Sequence, residues 1–409
     1  MPATFATAAS SQRGGRLLLT NVNPVAFGPN TPATKIDILI DADGNIAQFG
    51  SSLNVTGDVQ RVDAKGSWIS PGWVDLHAHI WHGGTDISVR PQVCGVERGV
   101  TTIVDAGSAG EANFHGFREY IIDPAKERIK AFLNLGSIGL VACNRVSELS
   151  DIRSIDIDRT VACVNENRDH IVGLKVRASH VITGSWGVTP VKLGKKIAKI
   201  LKIPMMVHVG EPPALYEEVL EILGPGDIIT HCFNGKVGSS IIEDDDLFEL
   251  AERCAGEGIR LDIGHGGASF SFRVAEVAIQ RGLLPFSIST DIHLRSLNFS
   301  VWDLGTTMSK LLSVGMPFDK VVEAVTLSPA SAIGLPTDNL LSVGKRADFT
   351  IFDLADSDLK VIDSMGYEAN LSKLFEPRMV VLGTETIAAS RYQPVVPETS
   401  GAIAPYSYR

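Results

Sequence analysis

The stretch "GWVDLHAH" (residues 72–79) closes an apolar run with two histidines two residues apart, His77 and His79. Alternate residues of a strand point to the same face, so both imidazoles can look out of one strand end. A single His-x-His decides little. What decides the fold is that this run opens a series of eight: "GWVDLH", "TTIVDAG", "IKAFLNLG", "HIVGLKVRA", "IPMMVHVG", "DIITHCFNG", "IRLDIGHG" and "FSISTDIH". Helix-period segments lie between them, at 147–167, 187–202, 213–223, 241–257 and 271–282. Eight strands alternating with helices between residues 71 and 336 fit a (β/α)8 TIM barrel in length and order. The runs are nearly continuous in apolar residues, as strands buried on both faces should be. A doubly wound open sheet is the alternative reading of the same alternation.

The flanks have a different texture. Residues 1–70 hold short strands broken by D-G, F-G and K-G turns, and residues 337–409 are again mostly strand-like. A small β-sandwich assembled from both chain ends is the expected arrangement. Residues 1–15 read as a frayed start without a signal peptide, and residues 393–409 as a loosely held tail.

Bulk composition narrows the function. The chain has 409 residues, 44% hydrophobic and 21% charged, with a net charge of −10. Acidic and basic residues are interspersed, which argues against nucleic acid and anionic membranes as partners. No apolar run approaches the roughly 20 residues of a membrane span. The 5 cysteines have no C-x-x-C spacing and read as reduced thiols of a cytoplasmic protein.

In a barrel of this kind chemistry sits at the C-terminal strand ends. The first run ends in His77 and His79, the fourth carries Lys175, the fifth ends at His208, the sixth at His231 and the eighth at Asp291. Four of the chain's 10 histidines fall at such positions. Neutral imidazoles and a carboxylate suit Zn²⁺, with Mn²⁺, Fe²⁺, Co²⁺ or Ni²⁺ as alternatives. Lys175, inside "IVGLKVRA", is the odd member: a buried lysine tends to lose its charge, and a neutral amine reacts with CO₂ to give a carbamate.

With these residues in register the chain resembles the amidohydrolase superfamily of metal-dependent hydrolases, and "VGKRADFTIFDL" (343–354) looks like that family's segment re-entering the β-sandwich. The resemblance covers nearly the whole chain. It implies two divalent metal ions, one on His77, His79 and Asp291, the other on His208 and His231. Lys175, as N6-carboxylysine, and a hydroxide would bridge them. It further implies amide or ester hydrolysis, with Asp291 moving a proton from the attacking water to the leaving group.

Within the superfamily, dihydroorotases follow the first His pair with an Arg, where this chain has "IWHGG", and carry Ala-Pro-His after the last Asp, where it has "STDIHLRSLN". Deaminases mostly use one metal and a Glu near the fifth-strand His, a mode that Lys175 argues against. The phrases "GLKVRAS", "VHVGEPP", "THCFNG", "DIGHGGASFSF" and "STDIH" are most similar to a deacetylase-type subgroup whose members are often labelled dihydroorotase or adenine deaminase. The resemblance therefore implies deacetylation of small chiral acids, such as O-acetyl α-hydroxy acids (acetyl-mandelate among them) or N-acetyl amino acids. A cyclic amidohydrolase or lactonase is the second reading, and a non-catalytic assembly protein the third, although such proteins lack the ligand set kept here. A homo-oligomer is expected by analogy.

Arg177, two residues after Lys175, is a candidate for a substrate carboxylate or for a salt bridge at the barrel rim. His265 and His293 are candidates for substrate contact. Trp81 and His82 would cap the pocket or pack on the surface, and Asp105 would orient a ligand histidine. Cys143, Cys232 and His180 receive no role.

Overall fold

The computed structural model describes residues 15–395 except 28–33, 144 and 339. The expected frayed start and most of the expected tail lie outside the described residues. Among the described residues there are fifteen strands: β1 Arg16–Pro24, β2 Ile36–Ile40, β3 Ile46–Gly50, β4 Val59–Asp63, β5 Trp68–Pro71, β6 Trp73–Ala78, β7 Val100–Gly110, β8 Arg128–Asn134, β9 Ile171–Ala178, β10 Met205–Val209, β11 Ile228–Thr230, β12 Arg260–Asp262, β13 Asp348–Ile362, β14 Glu368–Leu382 and β15 Glu385–Ala388.

Strands β6 to β12 form one parallel sheet in strict sequence order. That order differs from the reversal that marks a doubly wound sheet. Every residue of β6 and β7 is buried, as the unbroken apolar runs require. The eighth run, at 286–293, forms no full strand. It makes one parallel bridge to each edge of the sheet, Asp262 to Ser287 and Ala78 to Ile292. The result is a curled, TIM-barrel-type α/β unit whose strand ends face one another.

Helices cover the outside of the sheet, and their starts are written in local chemistry. Asp244 accepts a hydrogen bond from Leu247 N at 2.7 Å and opens the helix Asp245–Gly256. Asp303 does the same for Leu304–Ser313 through Thr306 N at 2.7 Å. The segment expected to be helical over 147–167 is α-helical only from Ile157 to Glu166, after a 3-10 turn at Ile152–Ser154, because Asp156 caps the helix from Arg159 N at 2.9 Å and stops it extending backwards. The helices expected at 187–202, 213–223, 241–257 and 271–282 are found at Thr189–Leu201, Tyr216–Ile222, Asp245–Gly256 and Phe272–Gln280.

A second sheet comes from the two chain ends, in the order β15-β14-β13-β5-β1-β2-β3, with β4 on β1. Strand β5 joins the halves, parallel to β1 and antiparallel to β13. The 15-residue strands β13 and β14 make a long hairpin that crosses the helix Leu304–Ser313. Among the described residues, no helix is long and apolar enough to cross a membrane.

Candidate metal centre

The curled sheet delivers the expected residues to one place. His77 lies in β6 and His79 just beyond it; Lys175 lies in β9 and His208 in β10; His231 directly follows β11, and Asp291 sits in the eighth segment. His231 (φ 70°) and Asp291 (φ 46°) both adopt left-handed backbone, which non-glycine residues rarely do. Such conformations persist where the surroundings over-determine them, typically at functional sites. Asp291 N donates to His77 O at 2.6 Å, tying the last strand end to the first.

Three imidazoles are held at Nδ1. His77 Nδ1 lies 2.9 Å from Thr230 Oγ1, whose hydroxyl donates to Asp262 Oδ2 at 2.7 Å, so His77 Nδ1 is the donor. His231 Nδ1 faces Gly264 O at 2.6 Å, and a carbonyl can only accept. His79 Nδ1 lies 2.9 Å from Ser108 Oγ, and Ser108 N donates to Asp105 Oδ1 at 2.7 Å. With the proton on Nδ1, the rings of His77 and His231 turn an Nε2 lone pair inward. His77 Nε2 and His79 Nε2 lie 3.3 and 3.1 Å from Asp291 Oδ1, and His231 Nε2 lies 2.8 Å from His208 Nδ1. Burial holds the imidazoles of His77, His208 and His231 well below their ordinary pKa, hence neutral and able to ligate.

Lys175 completes the cluster. Its Nζ lies 3.1 Å from His77 Nε2, and burial pushes the amine down to about 7, so its reactive neutral form is accessible. Gly107, at φ +89°, leaves room for it: a Cβ there would meet Lys175 Cγ at 2.7 Å. Among the described residues, His77, His231 and Asp291 present ligand atoms all within 4.8 Å of one another. Neutral nitrogens, a carboxylate and a low-pKa amine are a donor set that fits divalent metal ions.

The remaining candidates separate. Arg177 is buried and grips Glu148 with two bonds, Nε to Oε1 at 2.6 Å and Nη2 to Oε2 at 2.8 Å, with Cys143 Sγ 3.6 Å from Nη1. The guanidinium therefore makes the salt bridge rather than presenting an open fork to a substrate. His265 is fully buried, stacked on Phe270 with ring centroids 4.6 Å apart, and its nitrogens face Gly266 O and Lys310 Nζ, each at 2.9 Å. In the structure Arg177 is thus engaged by Glu148, and His265 by Gly266 and Lys310. His293 stays beside it, its ring centroid 6.5 Å from that of His79. Arg295 N donates to His293 Nδ1 at 3.2 Å, so the neutral ring carries its proton on Nε2. Burial draws this imidazole down to about 4. Trp81 packs on Phe117 with ring centroids 5.8 Å apart. Asp105 reaches His79 only through Ser108.

Thr230, Ser108 and Asp262 orient the ligands but escaped the sequence reading. Asp262, a carboxylate inside the apolar run "IRLDIGHG", was the available signal.

Fold and donor cluster together define a TIM-barrel-type hydrolase. A model of the amidohydrolase family matches residues 270–384. A deacetylase of Brucella anthropi is 74% identical over 385 residues, covering 94% of this chain and 96% of that one. A crystal structure described as a dihydroorotase superposes with a TM-score of 0.90 at 73% identity, covering 93% of this chain and 100% of that one. Another, described as an adenine deaminase, gives a TM-score of 0.82 at 33% identity, covering 91% and 99%. The chain belongs to the amidohydrolase family, hydrolases of amide and ester bonds that generally use a binuclear metal centre.

Proposed function

We propose that this protein removes the acetyl group from small chiral acids, O-acetyl α-hydroxy acids such as acetyl-mandelate or N-acetyl amino acids. The observation that carries the reading is the inward turn of three Nδ1-pinned imidazoles, His77, His79 and His231, around buried Lys175 and Asp291. His77, His79 and Asp291 would hold one divalent ion and His208 and His231 the other, zinc in each case, with Lys175 carboxylated by CO₂ as the shared ligand. The same reading takes the curled sheet with segment 286–293 as a closed (β/α)8 barrel over 71–336, and the end-derived sheet, from 1–70 and 337–409, as a sandwich.

When bound there, a metal pair would supply a lowered water pKa and a Lewis acid for the scissile carbonyl. Asp291 takes the proton of the attacking water and returns it to the leaving oxygen or nitrogen as the acyl bond breaks, releasing acetate. His293, with its proton fixed on Nε2, offers an N–H to the substrate. Glu211, the carboxylate a deaminase would use near His208, is engaged by Lys236 Nζ at 2.8 Å and by Ser179 Oγ. That engagement, with the Brucella anthropi deacetylase at 74% identity, favours deacetylation.

The test is acetate release by zinc-loaded protein over paired enantiomers of both acetyl series, with dihydroorotate as a ring-opening control. Turnover of one enantiomeric acetyl series is expected. Ring opening without acetate release would replace this reading by a cyclic amidohydrolase, the activity named for the solved structure at 73% identity.

A further inference from the structure

Lys310 sits in the helix Leu304–Ser313 with no solvent exposure. Its ammonium has three N–H donors and finds three acceptors: Ser300 O at 2.5 Å, Ile362 O at 2.7 Å and His265 Nε2 at 2.9 Å. The acceptors come from three separate pieces of chain. Ser300 belongs to the segment that follows Asp291, Ile362 ends β13 of the end-derived sheet, and His265 belongs to the turn after β12. An apolar side chain of similar volume would fill this space at less desolvation cost, so the retained ammonium calls for a use of its three bonds.

The use lies one residue on. Because Lys310 donates to His265 Nε2, the ring proton is on Nδ1 and goes to Gly266 O at 2.9 Å. Gly266 O also accepts from Ser300 Oγ at 3.1 Å and from Ser364 Oγ at 3.0 Å, while Gly266 N donates to Thr290 O at 2.9 Å. Ser364 lies at the tip of the β13–β14 hairpin and donates to His265 O as well, at 3.2 Å. Asp363 anchors that tip by accepting from Phe272 N at 3.0 Å and from Tyr367 N at 2.9 Å. Gly266 itself, at φ +54°, is the wall against Asp291: a Cβ there would lie 2.4 Å from Asp291 Oδ2. The turn after β12 therefore sets where the Asp291 carboxylate can stand.

We propose that Lys310 is a positioning residue for Asp291, acting through His265 and Gly266, and that Ser364 makes the β13–β14 hairpin tip part of the same support. The proposal rests on Asp291 as the ligand and proton carrier of the reading above. It requires that the end-derived sheet contribute to the centre rather than merely accompany the barrel.

The test uses the full chain loaded with cobalt(II) for its ligand-field spectrum and with zinc for kinetics. Lys310→Met is expected to alter the cobalt spectrum and lower kcat by about 10–100-fold with KM little changed, as for other supports of metal ligands. Ser364→Ala should move both in the same direction by a smaller factor. Adding Lys310→Met to Asp291→Asn should change neither spectrum nor kcat further, because both act at one carboxylate. A Lys310→Met protein that loses thermal stability but keeps the wild-type spectrum would make Lys310 purely structural and overturn the proposal. If that variant does not fold, an unchanged spectrum in Ser364→Ala overturns it instead. A wild type silent on acetyl compounds would sink the substrate reading alone, since the spectrum needs no substrate; an Asp291→Asn spectrum equal to wild type would sink Asp291 as ligand and this proposal with it.

Discussion

Lys175 Nζ stands 3.1 Å from Nε2 of His77, in a spot that is 99% shielded from solvent on both side chains. An ammonium so placed would repel a dication, whereas a carbamate on the same nitrogen would supply two oxygens to it. Lys175→Ala should therefore lose paired metal and activity together, with partial rescue by short carboxylic acids that occupy the vacated space. Metal content by elemental analysis, with and without added acetate or propionate, reads this directly. Full metal content and wild-type turnover in Lys175→Ala would remove the carbamate from the account.

Asp291 is held by a left-handed backbone and by His77 and His79, each within 3.3 Å of Oδ1. An amide can still coordinate through its oxygen but cannot carry the proton. Asp291→Asn should keep much of its metal and lose about 10²–10⁴-fold in kcat, the usual range for a lost general acid–base group. Near-wild-type kcat would assign the proton transfer elsewhere.

Arg177 carries a different expectation from that of a carboxylate reader. Removing one partner of a buried ion pair leaves an uncompensated charge, which costs about 3–5 kcal/mol. Arg177→Met strands Glu148 and should lower the urea midpoint markedly, whereas the double variant with Glu148→Gln should recover part of the loss. Its effect on KM should be equal for acids and for neutral esters. A KM increase confined to acids would restore Arg177 as a substrate contact.

How far the sequence could be read follows from where each partner lies. The six strand-end residues were legible because a parallel barrel puts strand ends together whatever the loops do, and because lysine inside "IVGLKVRA" is costly without a use. The eighth strand was legible as a run although it pairs through only two single bridges. Arg177 was read as facing the same way as Lys175, with a salt bridge at the barrel rim among its readings, but its partner Glu148, 29 residues earlier, lies in a loop inside the segment read as helical, so no spacing paired the two. Lys310 was invisible for a related reason. In "TTMSKLLS" it has the look of an ordinary helix lysine, and its acceptors are two backbone carbonyls and a histidine 45 residues away. Contacts made by loops and backbone leave no spacing to detect.

Lys310 also makes a prediction about pH. Burial lowers its amine from 10.5 to about 7, against the upward pull of Asp363. Between those two values the unfolded chain holds a proton that the folded one lacks, so unfolding takes up a proton and stability rises with pH across the window. Below about 7 the lysine is protonated in both states, and its burial penalty is at its full value. Replacing Lys310 by Met removes this titration and leaves the rest of the chain's in place. The stability of metal-free wild type minus that of Lys310→Met should therefore climb from pH 7 towards pH 10, with a limiting slope of about 1.4 kcal/mol per pH unit. Urea unfolding of both proteins at pH 7, 8 and 9 measures the difference. A flat difference would mean that the three acceptors keep Lys310 charged in the folded protein throughout, and that its support of His265 does not weaken as the solution becomes alkaline.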